Sequence, residues 1–228
     1  MDLISALDVG DAIPPERVLA AELGIARATL RRAIGDLVRD GVLFRRQGAG
    51  TFVAEPKIAQ PLTMTSFTDD MRRRGHRAGS RTLSIDRILA GARLGRLLSI
   101  SPSQDVVVFN RLRLADDQPM AIEILHVPAD LVPGLTSDDL VDTSFYQLLS
   151  VRYGIEVRSG TQTIEPTVTN DEESHLLGLP LHTPAFLFER ISHDAEGRTL
   201  EYVRSIYRGD RYRLTTELRM DDGPGMES

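Results

Sequence analysis

Three local patterns follow one another between residues 15 and 53, and few folds accept them in this order. The first helical pattern ends at Gly24, a residue type that readily adopts the left-handed backbone at a helix end. The second has apolar residues at i, i+3, i+4, i+7 and i+8: Leu30, Ala33, Ile34, Leu37 and Val38. Gly41 closes it, and two β-prone runs around Gly48-Ala49-Gly50 then predict a hairpin. Two short helices followed by a hairpin predict a winged helix-turn-helix.

The second predicted helix carries basic residues at its N-terminal end, away from the apolar stripe. The basic residues are Arg27, Arg31 and Arg32, and the polar residue Thr29 lies among them. Helix-turn-helix proteins present this end to the DNA major groove, where arginine bonds guanine and threonine contacts phosphate or a thymine methyl group. On the hairpin, the candidates for the adjacent minor groove or backbone are Arg45, Arg46 and Gln47, with Gly48 and Gly50 allowing close approach. The alternative is a solvated cationic helix face, but the order of elements favours DNA binding.

The charge distribution agrees with a small anion-binding surface on an acidic protein. Residues 27–46 hold six arginines against two aspartates, a sum of +4. Residues 58–228 hold 19 basic and 25 acidic groups, a sum of −6, which equals the net charge of the whole chain. A local cationic patch of this kind suits DNA or another anion, although charge alone is equally compatible with a solvated face.

The length of 228 residues predicts two domains at about 150 residues per domain. We predict a winged helix-turn-helix at 1–54, a linker at 55–61, an α+β domain at 62–220 and a flexible tail at 221–228. Turn signals between strands indicate a mainly antiparallel sheet. The predicted strands are 80–89, 105–115, 119–127, 156–168, 184–193, 199–208 and 211–219. The predicted helices are 91–99, 137–152 and 170–177, and one more capped by Ser66.

Several classes of function find no support. The chain has no cysteine, its five histidines lack ligand spacing, and it has no G-x-S-x-G sequence, so we predict no metal site, cofactor or catalytic residue. Gly48-Ala49-Gly50 does not open a helix, which argues against a dinucleotide loop. The longest aliphatic and aromatic run, 106–109, is far below the roughly 18 residues of a membrane span. Residues 1–4 lack the basic start of a signal peptide, so we predict a cytoplasmic protein without membrane association.

A second candidate site lies in the α+β domain. Arg111 and Arg113 are two residues apart in a predicted strand, so both side chains project from one face. Adjacent guanidinium groups repel unless an anion or carboxylates lie between them, and arginine grips phosphate or carboxylate with two hydrogen bonds. Glu123 lies on the following predicted strand. Spacing alone favours a structural salt-bridge ladder over an anion site.

The residues in these segments resemble a known family. In the first domain the similar segments are Pro14–Ala20, Ile25–Ala33, Gly41–Leu43 and Gln47–Val53; in the second they are Thr65–Met71, Arg111–Ala115, Pro119–Glu123 and Ser205–Tyr212. The first set resembles the GntR family of bacterial transcription factors. The second is similar to the effector-binding UTRA domain of the HutC subfamily, which has the chorismate-lyase fold, and in particular to its amino-sugar regulators. The resemblance spans about residues 10–220.

This resemblance implies a homodimeric repressor that binds palindromic double-stranded operator DNA and responds to a phosphorylated amino sugar, such as glucosamine-6-phosphate or N-acetylglucosamine-6-phosphate. It assigns DNA contacts to Arg17, Arg27, Thr29, Arg31, Gln47 and Gly48. It assigns the effector phosphate to Phe67, Thr68, Arg111, Arg113, Ser144 and Tyr146, and the sugar to Glu123, Glu201 and Tyr207. The helix start at Phe67 and Thr68 also fits on physical grounds, because helix N-termini attract phosphate.

Two departures from the family pattern affect the first domain. Ala26 stands where the family has serine or threonine before the recognition helix, so one cap or phosphate contact is missing. Only residues 1–9 precede Gly10 where the family has a full first helix, so we expect a loosely held DNA-binding domain. Two alternatives remain for function: a regulator with another sugar phosphate or a carboxylate as effector, and an enzyme like chorismate lyase.

Overall fold

The computed structural model describes residues 6–46, 48–55, 57–61, 63–141 and 143–216, and it divides into two units between Ala59 and Gln60. The predictions for Gln47 and for the tail 221–228 therefore lie outside the described residues. Each unit has its own hydrophobic core and is described separately below.

The first unit has the predicted order of two helices and a hairpin. Its helices are α1 (Glu16–Glu22) and α2 (Arg27–Arg39), and its strands are β1 (Leu43–Arg46) and β2 (Gly50–Val53). The apolar stripe of α2 faces inward, with Leu30 and Ile34 buried. Gly24 and Gly41 have φ values of 64° and 73°, the left-handed backbone that ends each helix. The winged helix-turn-helix prediction is confirmed.

The second unit is built on a six-stranded antiparallel sheet with the strand order β4-β5-β6-β9-β8-β7. Its strands are β3 (Ile58–Pro61, at the unit boundary), β4 (Ala78–Leu89), β5 (Asp105–Ala115), β6 (Gln118–Pro128), β7 (Ser159–Val168), β8 (Pro184–His193), β9 (Thr199–Arg208) and β10 (Tyr212–Thr215). Its helices are α3 (Phe67–Arg73), α4 (Gly91–Leu98), α5 (Phe145–Tyr153) and α6 (Asp171–Leu177). The α+β fold class is confirmed.

A two-residue turn and a β-bulge together set the register of β5 against β6. Asp116 and Asp117 both have positive φ, 48° and 64°, as the mirror-image turns of tight hairpins require. Aspartate tolerates this backbone better than most residues. The register then shifts by one residue between Arg113 and Leu114, and this shift places Arg111 opposite Glu123.

Different helices pack on the two faces of the sheet. One face packs against α5 through Val107, Phe109 and other residues, while the opposite face packs against α4 and α6. Because side chains alternate along β5, Arg111 and Arg113 continue the α5 face where Val107 and Phe109 end. The two arginines therefore stand at the end of an apolar core.

The structure corrects several element predictions. The predicted helix 137–152 is wrong, because a 3-10 helix at Asp138–Leu140 and α5 are separate elements. The break lies before Ser144, which has an extended backbone and accepts a hydrogen bond from the Gln147 N–H, so that it caps a new helix. The predicted strand 156–168 begins only at Ser159, and that at 211–219 is described as β10 alone. Strand β3 lies inside the predicted linker.

Candidate functional site

The basic residues of the first unit meet around one carboxylate. Arg31 Nε lies 3.1 Å from Glu16 Oε2, and Arg45 Nη2 lies 3.8 Å from Glu16 Oε1. Glu16 thus draws together α1, the N-terminal end of α2 and the hairpin. Exposed ion pairs contribute at most about 1 kcal/mol. Arg31 is therefore free to exchange this partner for a phosphate or a base.

The other described residues assigned to DNA are also at the surface. Arg17, Arg27, Thr29 and Gly48 are exposed. Gly48 has a φ of 74° at the tip of the hairpin, which glycine adopts without strain. Behind the tip, Phe44 stacks on Phe52 with ring centroids 5.5 Å apart, which stiffens the hairpin.

The N-terminus of α2 has no side-chain cap. Ala26 occupies the N-cap position with an extended backbone, φ −66° and ψ 138°, and offers no acceptor. The N–H groups of the first turn of α2 thus lack the side-chain acceptor that serine or threonine supplies. This agrees with the missing cap or contact expected at Ala26.

A cavity in the second unit contains most of the residues that the sequence analysis assigned to the effector. It is a small cavity of about 20 Å³ between α3, α5 and the strands β5, β6, β8 and β9. Its lining includes Phe67, Thr68, Arg111, Arg113, Glu123, Tyr146, Arg190 and Glu201. Residues far apart in sequence thus form one polar pocket at the end of an apolar core.

Arg111 and Glu123 form a buried ion pair across β5 and β6. Arg111 Nε donates to Glu123 Oε1 over 3.0 Å, and Arg111 Nη2 contacts the same oxygen. Burial raises the pKa of the Glu123 carboxyl, but the charges of Arg111 and Arg113 outweigh it, so the pKa lies below its usual value. Glu123 is therefore ionised at neutral pH.

Arg113 has a different environment. Its Nη2 donates to Thr68 Oγ1 over 2.8 Å, and its guanidinium lies 4.7 Å from the centre of the Phe67 ring. Among the described residues no carboxylate forms an ion pair with it. Burial, and then the charge of Arg111, lower the pKa of Arg113 to about 10, so it stays charged at neutral pH. A salt-bridge ladder accounts for Arg111 and leaves Arg113 without a counter-charge.

Glu201 anchors a hydrogen-bond network on the other side of the cavity. Its Oε1 accepts from Tyr146 Oη over 2.8 Å and from Ser192 Oγ over 2.7 Å. Burial raises the pKa of Glu201 above its usual value, and burial raises that of Tyr146 as well. The network orients Tyr146 over the cavity.

Arg190 is a pocket residue that the sequence analysis missed. It is partly buried on β8, donates from Nη1 to the Thr65 carbonyl over 3.2 Å, and lies 5.5 Å from the centre of the Tyr146 ring. A signal existed, because Phe186, Phe188 and Arg190 alternate along β8 and a cation replaces the third apolar residue of that face.

The cavity has more positive than negative charge. Three arginines line it (Arg111, Arg113 and Arg190) against two glutamates, a difference of one positive charge among the described residues. Arg111 Nη1, Arg113 Nε and Arg190 Nε are buried, and none has a hydrogen-bond partner among the described residues. Buried donors without acceptors are costly, and charged ones are more so. An anionic ligand with several oxygen acceptors would satisfy them.

Ser144 and Tyr207 lie beside this cavity. Ser144 caps α5 and its Oγ is 3.5 Å from Asp69 Oδ2, but it is not part of the cavity lining. Tyr207 lines an adjoining cavity and stands 4.6 Å from the ring of Phe188. Burial raises the pKa of Tyr207, so its hydroxyl is protonated and can donate.

Two kinds of feature are absent from the described parts of the chain, a metal site and a membrane-spanning helix. No three histidine or carboxylate side chains come together there in a way that would hold a metal ion. No helix of those parts has the length and apolar character needed to cross a membrane.

A winged helix-turn-helix followed along the chain by an α+β domain indicates the class of DNA-binding transcriptional regulators. Comparisons with known proteins support this class. Residues 1–53 match the gntR family of bacterial regulatory proteins, and residues 73–213 match the UTRA domain. The chain is 37% identical to the HTH-type transcriptional repressor NagR of Bacillus subtilis, over 88% of this chain and 82% of the relative.

Two further relatives cover nearly the whole chain. The mannosyl-D-glycerate transport/metabolism system repressor MngR of Escherichia coli is 32% identical over 92% of this chain and 87% of its own. The crystal structure of PhnF from Mycobacterium smegmatis superposes with a TM-score of 0.72 at 32% identity, covering 96% of this chain and 97% of that one. The protein belongs to the GntR family and is a member of its HutC type, with a UTRA domain.

Removing the carboxylate of Glu123 tests the buried ion pair. We predict that Glu123→Gln lowers the free energy of unfolding of the second unit at pH 7 by about 3–5 kcal/mol, because Arg111 is left buried without its counter-charge. Since the pKa of Glu123 lies below its usual value, this contribution is present above that value and is lost as the pH falls through the folded-state pKa. Wild type and variant should therefore converge in acid.

Chemical denaturation of the full chain at several pH values measures this difference. Glu165→Gln, at an exposed position on β7, is the matched control and should behave like wild type. An equal loss of stability at all pH values would contradict the assignment of the ion pair.

Proposed function

We propose that the protein is a transcriptional repressor that binds palindromic operator DNA as a homodimer and is released by a phosphorylated amino sugar, such as glucosamine-6-phosphate or N-acetylglucosamine-6-phosphate. Membership of the GntR family supports the DNA-binding part. The resemblance to amino-sugar regulators supports the effector class. The observation that carries the proposal is the surplus of guanidinium groups over carboxylates in the buried cavity.

A phosphate group fits this surplus better than a neutral ligand. A phosphate monoester carries about 1.5–2 negative charges near neutral pH and three strong acceptor oxygens. Arg113 Nε and Arg111 Nη1 are donors without acceptors on one side of the cavity. The hydroxyl of Thr68, which accepts from Arg113, lies on the same side. Charge-assisted bonds of this type are among the stronger polar contacts.

The first turn of α3 adds backbone donors to this phosphate site. Ser66 accepts from the Asp69 N–H, which caps that position. The N–H groups of Phe67 and Thr68, at the first two positions of the helix, have no partner four residues earlier within it. They supplement the two arginines at one end of the cavity, while Tyr146 and Ser144 complete the site from α5.

Glu123, Glu201 and Tyr207 are the proposed partners of the sugar. Glu123 uses one oxygen for Arg111, which leaves the other to accept from a sugar hydroxyl or amino group. The protonated Tyr207 hydroxyl is a donor on the adjoining side. Carboxylates and hydroxyls of this kind are suited to a polyhydroxylated ring.

In the DNA-binding unit, we assign base and phosphate contacts to Arg17, Arg27, Thr29, Arg31, Gln47 and Gly48. Helix α2 enters the major groove with its N-terminal end, and the hairpin follows the adjacent backbone. Effector binding acts as a population shift: the sugar phosphate stabilises dimers whose two reading heads do not match the operator half-sites.

A carboxylate effector is the second candidate, favoured by one comparison. The name of MngR refers to mannosyl-D-glycerate, a sugar with a carboxylate rather than a phosphate. Arg111 and Arg113 would bind either anion. A chorismate-lyase-like enzyme has less support, because the relatives described above are named as repressors.

Replacing Arg31 tests the DNA surface. We predict that Arg31→Ala weakens binding to a duplex selected from a random library by the wild-type protein, by about 1–3 kcal/mol, and relaxes base preference. Fluorescence anisotropy on the selected and a scrambled duplex measures both effects. Arg39→Ala, at the other end of α2, is the matched control. Unchanged affinity in the Arg31 variant would contradict the placement of the recognition surface.

Replacing Arg113 tests the effector site. We predict that Arg113→Ala weakens binding of N-acetylglucosamine-6-phosphate by about 10- to 150-fold, because one charge-assisted contact of about 1.5–3 kcal/mol is lost. Affinity for DNA should stay nearly intact. Isothermal titration calorimetry measures the first effect, and Arg96→Ala, on the opposite face of the sheet, is the control.

The same experiment distinguishes a ligand-binding role of Arg113 from a purely structural one. If its role were only structural, the variant would be less stable without ligand and its response to the sugar phosphate would persist. The sugar without phosphate should bind weakly or not at all to either protein, because it leaves the guanidinium groups without a counter-charge.

A further inference from the structure

Arg190 stands where two cavities of the second unit share a wall. It lines the cavity of Arg111 and Arg113, and also the adjoining cavity that contains Gln162 and Ser205. Arg111 and Arg113 line the first of these cavities alone. If the phosphate of a sugar ligand lies at Arg111 and Arg113, the sugar ring therefore extends towards Arg190.

The Arg190 side chain is held in place but has one donor without an acceptor. Its Nη1 donates to the Thr65 carbonyl over 3.2 Å, and its guanidinium packs 5.5 Å from the Tyr146 ring centre. These contacts prevent it from turning towards another partner. Its Nε is buried and has no hydrogen-bond partner among the described residues.

The nearest carboxylate does not satisfy this donor. Arg190 Nε lies 3.7 Å from Glu201 Oε1, beyond hydrogen-bond distance. That oxygen already accepts from Tyr146 and Ser192. In the free protein the Nε–H group of this cavity-lining arginine therefore has no acceptor within hydrogen-bond distance among the described residues.

We propose that Arg190 is a specificity-determining residue, whose Nε–H donates to an oxygen on the sugar substituent farthest from the phosphate. This inference rests on the proposed function and deepens it. An N-acyl carbonyl or a hydroxyl at that position accepts the bond. An ammonium group has only donors, so it leaves Nε–H unsatisfied. The site therefore favours N-acylated and neutral sugar phosphates over those with a free amino group.

Calorimetry with three ligands that share the phosphate tests this preference. They are N-acetylglucosamine-6-phosphate, glucose-6-phosphate and glucosamine-6-phosphate. We expect the wild-type protein to bind the first two at least tenfold more tightly than the third, a difference of about 1.4 kcal/mol. In Arg190→Met the preference should fall below about threefold. Arg190→Gln removes the Nε–H group but keeps a polar side chain, and it should give the same loss if Arg190→Met does not fold.

Arg204→Met is the matched control, because Arg204 lies in register opposite Glu189 on the other face of the sheet. It should keep the wild-type preference. An unchanged preference in the Arg190 variants, or a wild-type protein that binds the amine as tightly as the acyl sugar, would overturn the inference alone. If the wild-type protein bound none of the three ligands, the proposed effector class would be overturned as well.

Discussion

The ligand response that we propose for the second unit depends on one constraint, which is that its cavity holds more guanidinium groups than carboxylates. Arg111, Arg113 and Arg190 approach one cavity from two strands, and among the described residues Glu123 and Glu201 are the carboxylates that line it. Buried charges are costly unless they are paired. The unpaired donors are therefore a cost that the fold carries in the free protein. A bound anion would remove that cost, which makes the free energy of this unit sensitive to its ligand.

The fold places these charges through ordinary sheet geometry. Because side chains alternate between the two faces along β5, Leu112, which lies between the two arginines in sequence, points to the opposite face. There it packs on the α6 side of the sheet. The tight turn at Asp116 and Asp117, followed by a one-residue register shift between Arg113 and Leu114, then pairs Arg111 with Glu123. The helices α3 and α5 contribute Thr68 and Tyr146 from outside the sheet.

Local patterns in the sequence predicted most of this architecture, while side-chain pairing at a distance was not predictable. The apolar stripe of α2 and the two-residue spacing of Arg111 and Arg113 are local signals, and the structure places those residues as expected. The sequence did not predict the break before Ser144, because the residues on both sides of this polar side chain continue in helical period. Arg190 was missed because its role arises from contacts with Thr65 and Tyr146, which are remote in sequence. The same limit applies to Arg113, whose lack of an ion-pair partner among the described residues favours an anion site over a salt-bridge ladder.

We propose that an anion in the cation-rich pocket of the second unit controls binding of DNA by the first. Fluorescence anisotropy of the full-length protein on its selected duplex tests this proposal when the complex is titrated with N-acetylglucosamine-6-phosphate and, separately, with N-acetylglucosamine. The phosphorylated sugar should release the DNA at concentrations where the unphosphorylated sugar has no effect. Equal effects of the two sugars, or no release by either, would contradict the proposal.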